Sequence, residues 1–160
     1  MTSTATVRAG DFTAPELTVP PRPPDAGEWK FIGDSGKPVA FNACRVIHYL
    51  VRSGPGPDNA VAFVREALDR VEAATGLRFV YDGVTDEVPT SATFPEVNTP
   101  VTLAEAFKPV TIGWALRAET DLWEGEGADT LGVGGPRTLA FEDGQRFTVA
   151  GYALLVPSDD

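Results

Sequence analysis

Two reactive side chains occur once each in the 160 residues, Cys44 and His48. One imidazole cannot assemble a zinc site, and no neighbouring thiolate or second imidazole adds to it. A Cys–His nucleophilic pair would need the two in contact, but at i and i+4 on a strand they sit about 13 Å apart. His48 therefore reads as structural and Cys44 as a buried, inert thiol. A lone cysteine also rules out an internal disulfide and leaves the redox compartment open. A serine hydrolase is disfavoured because no Gly-x-Ser-x-Gly elbow occurs.

The densest run of acids is Asp121, Glu124, Glu126 and Asp129, interleaved with Gly125 and Gly127. Carboxylates on a flexible loop can offer oxygens to Ca²⁺, although this spacing is not that of an EF-hand. A solvated acidic loop is the other reading. Gly132-Val133-Gly134-Gly135 invites comparison with a phosphate loop, but no Lys-Ser/Thr follows. The dinucleotide fingerprint fails as well, lacking a preceding βαβ strand and a properly spaced third glycine. Such glycines more simply let backbone pass close to backbone, or to an extended peptide.

Charge narrows the partners. With 13 basic against 23 acidic residues the net charge is −10. Nucleic-acid binding is disfavoured, since neutralising phosphates needs clustered Lys and Arg; an anionic membrane surface is disfavoured for the same reason. No run approaches the roughly 18 apolar residues of a membrane-crossing helix. The first thirty residues lack the charged and apolar regions of a signal peptide.

The elements that must position these residues begin after a Pro-rich segment, residues 1–27, whose Val19–Pro24 core favours extended polyproline II and reads as a linker. Residues 28–160 form one domain. Glu28–Ile32 reads as a short strand or aromatic plug. Val46–Val51 is apolar on both faces apart from His48, which suits an interior strand. After the Gly/Pro turn at 53–57, Asp58 is the expected N-cap of an amphipathic helix. Val61, Val64, Leu68 and Val71 make its stripe, widened by Ala60, Phe63, Ala67 and Ala74. Arg65, Glu66, Asp69 and Glu72 face water, and Gly76 is the left-handed stop.

Leu77–Tyr81 is the second strand, ended by Asp82-Gly83. Strand, helix and strand with short links imply two parallel neighbours. Residues 84–109 are a Pro-punctuated excursion in which Leu103–Phe107 makes one helical turn. Val110–Ala115 is the third strand, and residues 119–136 are loop. Arg137–Glu142 and Arg146–Val156 bracket Asp143-Gly144, a two-residue hairpin signal. The sum is a mixed, mostly parallel α/β (α+β) twisted sheet of about five strands with one long helix. A parallel sheet needs cover on both faces, and one helix covers only one.

Four segments carry a family resemblance: Phe41–Tyr49, Ala73–Gly83 with its Thr75-Gly76-Leu77-Arg78-Phe79 centre, Val110–Ala115 and Leu131–Pro136. The segments run from Phe41 to Pro136 within a resemblance that covers roughly Phe41 to Leu155, and in order and type they resemble the N-terminal subdomain of matrixin-like (metzincin, M10-type) zinc metallopeptidases. The resemblance implies an extracellular or cell-surface endopeptidase, a peptide or protein substrate aligned on an edge strand, and a catalytic Zn²⁺. It also implies structural ions near the acidic loop. The family's zinc ligands lie in a His-Glu-x-x-His-x-x-Gly-x-x-His helix after the last strand, and no position here matches that motif. No catalytic or metal residue can therefore be carried over. The expectation is a subdomain cut before the zinc helix, inactive alone; an inactive relative that serves as a binding or structural module is the alternative.

Overall fold

The computed structural model describes residues 41, 45–93, 107–140 and 146–157. The Pro-rich segment 1–27, the Glu28–Ile32 strand, Cys44, most of the turn at 103–107 and the Asp143-Gly144 turn lie outside them.

Five strands form one sheet: β1 (Ile47–Arg52), β2 (Phe79–Val84), β3 (Val110–Trp114), β4 (Gly132–Ala140) and β5 (Arg146–Leu155). The spatial order is β2-β1-β3-β5-β4. Every pair is parallel except β4–β5. The mixed, mostly parallel sheet with a single long helix, α1 (Ala60–Thr75), is the architecture expected from the sequence.

Alternation along the strands assigns the two faces. Tyr49 and Val51 of β1 pack with Val64 of α1, and Phe79, Tyr81, Val110, Ile112 and Trp114 close around them. Helix α1 thus lies over β1, β2 and β3. The helix stripe is narrower than the sequence suggests: Ala60 and Val64 are buried, whereas Phe63 is 54% exposed and Ala67 and Ala74 also face solvent. Its entry differs too. Asn59, not Asp58, occupies the N-cap position, and no side chain caps the helix. The Pro57 carbonyl accepts from the Ala60 amide at 2.9 Å, so a backbone turn performs the capping.

At the other end Gly76 takes φ 72° and its amide donates to the Glu72 carbonyl, the expected left-handed stop. Glu72 does not simply face water. Its carboxylate accepts from the Phe79 amide at 2.5 Å, tying the helix to the first residue of β2.

Around β3, β5 and β4 the opposite face is covered without a second helix. Ala115, Trp123 and Leu154 form a buried cluster there, joined by Val88, Leu122, Val133, Tyr152 and Val156. Short 3-10 turns at Arg117–Glu119 and Asp121–Trp123 bring these side chains in. The expected lack of cover is corrected for that end only, where loop residues with few but large apolar groups replace a helix; over β1 and β2 the same face keeps Val80 and His48 exposed.

Two strand boundaries also move. Asp82-Gly83 does not end β2 but sits inside it, and Gly132–Pro136, read as loop, is the first half of β4. In both places a glycine breaks the apolar alternation that marks a strand while the backbone pairing continues.

Candidate functional site: the outer strand β4

A five-stranded open sheet has two outer strands, here β2 and β4. Their edges differ. In β2, Tyr49 pairs with Tyr81 but Leu50 pairs with Gly83, so Asp82 is an extra residue, a bulge. Gly83 adopts φ 127°, a conformation L side chains rarely take, which makes the bulge possible. Bulges and charges on an edge discourage further pairing.

The bulge also aims Asp82 at His48. Both carboxylate oxygens lie near the imidazole Nδ1, at 2.8 and 3.0 Å. That contact favours the tautomer that donates from Nδ1. His48 is thus engaged and partly exposed, at 55% of its side chain, rather than a buried core residue.

Strand β4 contains no bulge of its own. Gly132 to Arg137 pair without interruption with Leu155 to Ala150, and the register shift beyond Arg137 inserts Val149 of β5 instead. Among the described residues no strand flanks β4 on its outer side. Its first half is nearly free of side chains, and the reason lies in β5. A Cβ at Gly135 would meet the Tyr152 phenol oxygen at 2.9 Å, and one at Gly134 the Tyr152 carbonyl at 3.3 Å. Pro136, which lacks an amide, fits a sheet most readily on such an outer strand and removes a donor from it, so the stretch of the edge open to further pairing is Gly132–Gly135. Gly132 and the stretch from Arg137 to Ala140 belong to this one strand.

Tyr152 connects β4 to the acidic loop. Burial pushes its phenol up from the ordinary range, and the Asp121 carboxylate adds to the shift. Asp121 itself is held below the usual carboxylate range, chiefly by the Ser91 hydroxyl and then by the Ser91 amide at 2.9 Å. Thr120 donates from its hydroxyl to the Pro89 carbonyl at 2.6 Å, so the loop around residue 90 is fastened twice to the loop around residue 120.

The acidic residues proposed for Ca²⁺ are not gathered. Asp121 is turned to Ser91, while Glu126 reaches the Thr130 hydroxyl at 3.5 Å. Among the described residues no three His, Cys, Asp or Glu converge on one point. Zinc does not fit the residues present either: the sole imidazole, His48, faces Asp82, and no second histidine exists in the sequence.

Sequence reasoning missed Arg52. Its guanidinium is buried beneath the sheet end and donates to the Trp114 carbonyl and, at 2.8 Å, to Glu119. Glu119 in turn accepts from the Leu116 amide at 2.7 Å. Nothing in the alternation of β1 flags an arginine at its last position as interior. Asp82 was visible as half of an Asp-Gly pair, a signal for a backbone irregularity, but not for a partner 34 residues away. Among the described residues, no helix is long and apolar enough to cross a membrane. No family model, curated protein or solved structure matches this chain.

Proposed function

We propose that this chain holds an extended peptide along β4, as the substrate-aligning half of a matrixin-like zinc endopeptidase domain. The observation that carries the reading is the edge itself: an unbulged, antiparallel outer strand whose first residues are almost all backbone. Strand addition draws its affinity from main-chain hydrogen bonds, and the neighbouring side chains select the peptide. The parallel β1-α1-β2 unit and the four segments that resemble the family support the same assignment.

Hydrolysis is proposed only of a protein that also carries the His-Glu-x-x-His helix. No residue of this chain supplies that chemistry, and no step is derived from it. On the α1 side of β5, Ala153 and Leu155 stay exposed, Leu155 at 46%. They offer an apolar seat to a helix continuing from β5.

One observation favours the alternative, a binding module without catalysis. The loop-built cluster of Ala115, Trp123 and Leu154 covers the β5 end of the face opposite α1 within the chain itself, so that part of the sheet needs no further helix. Reading the coding frame beyond Asp160 separates the two. The peptidase reading expects His-Glu-x-x-His within about 30 residues of that point, as the family pattern has it. A frame without the motif would remove the enzyme and leave the peptide-binding module.

A further inference from the structure

Strand β3 starts late, and a cavity results. Its first residue, Val110, lies opposite Tyr49, and Thr111 lies opposite Tyr152. The beginnings of β1 and β5 therefore extend past β3 with a notch between them. Phe41 bridges to Thr148 at its far side. The notch encloses a cavity of about 210 Å³.

Its lining has two characters. Ile47, Phe107, Val110 and Val149 supply an apolar body, while Arg45 and Lys108 bring two cations to its rim. In a chain of net charge −10 this is an unusual local balance. Among the described residues the one carboxylate in the lining, Asp82, leaves a single positive charge in excess, and both its oxygens are turned to His48 rather than to the cations. The Arg45 guanidinium lies over the Phe107 ring at 3.9 Å. Stacking uses the guanidinium face and leaves its N–H edge, the part that pairs with a carboxylate, available.

We infer that this notch binds a small monocarboxylic acid with a flat apolar body, its carboxylate on Arg45 and Lys108 and its body against Phe107 and Val149. The volume is below the roughly 300–1,000 Å³ of drug-sized sites, which sets the size class. The cationic rim selects a carboxylate over an amine, and the apolar floor distinguishes such an acid from a bare anion. The notch lies away from the Gly132–Pro136 half of β4, so the inference does not depend on the peptide-binding proposal.

The test is an amide NMR titration of the whole chain with 3-phenylpropionate, its neutral amide and acetate. The acid is expected to shift residues of the notch and to bind at least about tenfold more tightly than either control, a difference on the scale of one charge-assisted contact. Arg45→Gln and Lys108→Gln should each weaken it about fivefold or more, while Arg65→Gln, on α1 over Tyr81, should leave it unchanged. Equal binding of the amide or acetate, shifts outside the notch, or full affinity in both rim variants would each overturn the inference. So would the absence of any shift at about 10 mM acid.

Discussion

The two halves of the sheet are built on different principles. Around β1, α1 and β2 the contacts are between side chains: Tyr49 meets Phe79 edge-on at 6.5 Å and Tyr81 at 5.5 Å, and Val51 is fully buried under Val64. Around β4 and β5 glycines admit close neighbours on the paired strand: Gly132 and Gly135 lie against the Leu155 and Tyr152 side chains, Gly134 and Gly151 against opposing backbone. A side-chain core accepts swaps that conserve volume, whereas a glycine set against backbone accepts no added Cβ without moving the strand. The same contrast separates the two edges, because β2 is blunted by its bulge whereas β4 stays straight.

The contrast breaks most sharply at β3, where the two principles meet. A Cβ at Gly113 would sit 1.9 Å from the Arg52 carbonyl oxygen, an encounter with backbone that no rotamer change relieves. Gly113→Ala should cost about 3 kcal/mol, read as a lowered denaturant midpoint. An effect near zero would mean that β1 and β3 are not so closely paired.

Next in size is the buried cation beside that glycine. Glu119→Gln leaves the Arg52 guanidinium buried without its carboxylate, although Glu119 is itself about one-third exposed. The expected cost is about 1–2 kcal/mol, less than for a fully enclosed pair. Glu66→Gln provides the scale: its pair with Arg70 at 2.5 Å is exposed on both sides and should change stability by a few tenths of a kcal/mol, about that of an i,i+4 pair. Similar losses in the two variants would contradict the burial of Arg52.

Gly76→Ala tests the side-chain half at the left-handed stop of its helix. With φ at 72° the alanine should cost about 1 kcal/mol by thermal unfolding, in spite of its better helix propensity.

The smallest effect concerns pH. Because Asp121 has a folded-state pKa below its unfolded one, the stability it contributes is present above the ordinary value of 3.8. It is lost as pH falls through the lower, folded value. The Ser91 amide resonance should report that titration, and Asp121→Asn should abolish it while leaving the β1–β2 resonances in place.

Legibility followed the same division. The β1-α1-β2 unit could be read because its apolar residues repeat with helix and strand periods, and because Gly76 marks the stop. The sheet class followed from that unit. The start of β4 could not be read, since Gly132-Val133-Gly134-Gly135-Pro136 has no alternation to detect, and its strand character comes from Tyr152 and Gly151 on the neighbouring strand. Cover of the second face depends on Trp123, which the chain presents from a loop without periodicity. The His48–Asp82 contact and the Arg45–Phe107 stack join residues far apart in sequence. Only the sheet register brings them together.

The most direct test of the central claim compares the two edges by amide hydrogen exchange, with a pool of short extended peptides and with the same peptides N-methylated at alternate residues. The account predicts that the unmodified peptides slow exchange of the amides at residues 132–135 and leave residues 79–84 unaffected. The methylated ones, unable to complete a strand ladder, should do neither. Protection of β2, or equal protection of β4 by both peptide sets, would contradict it.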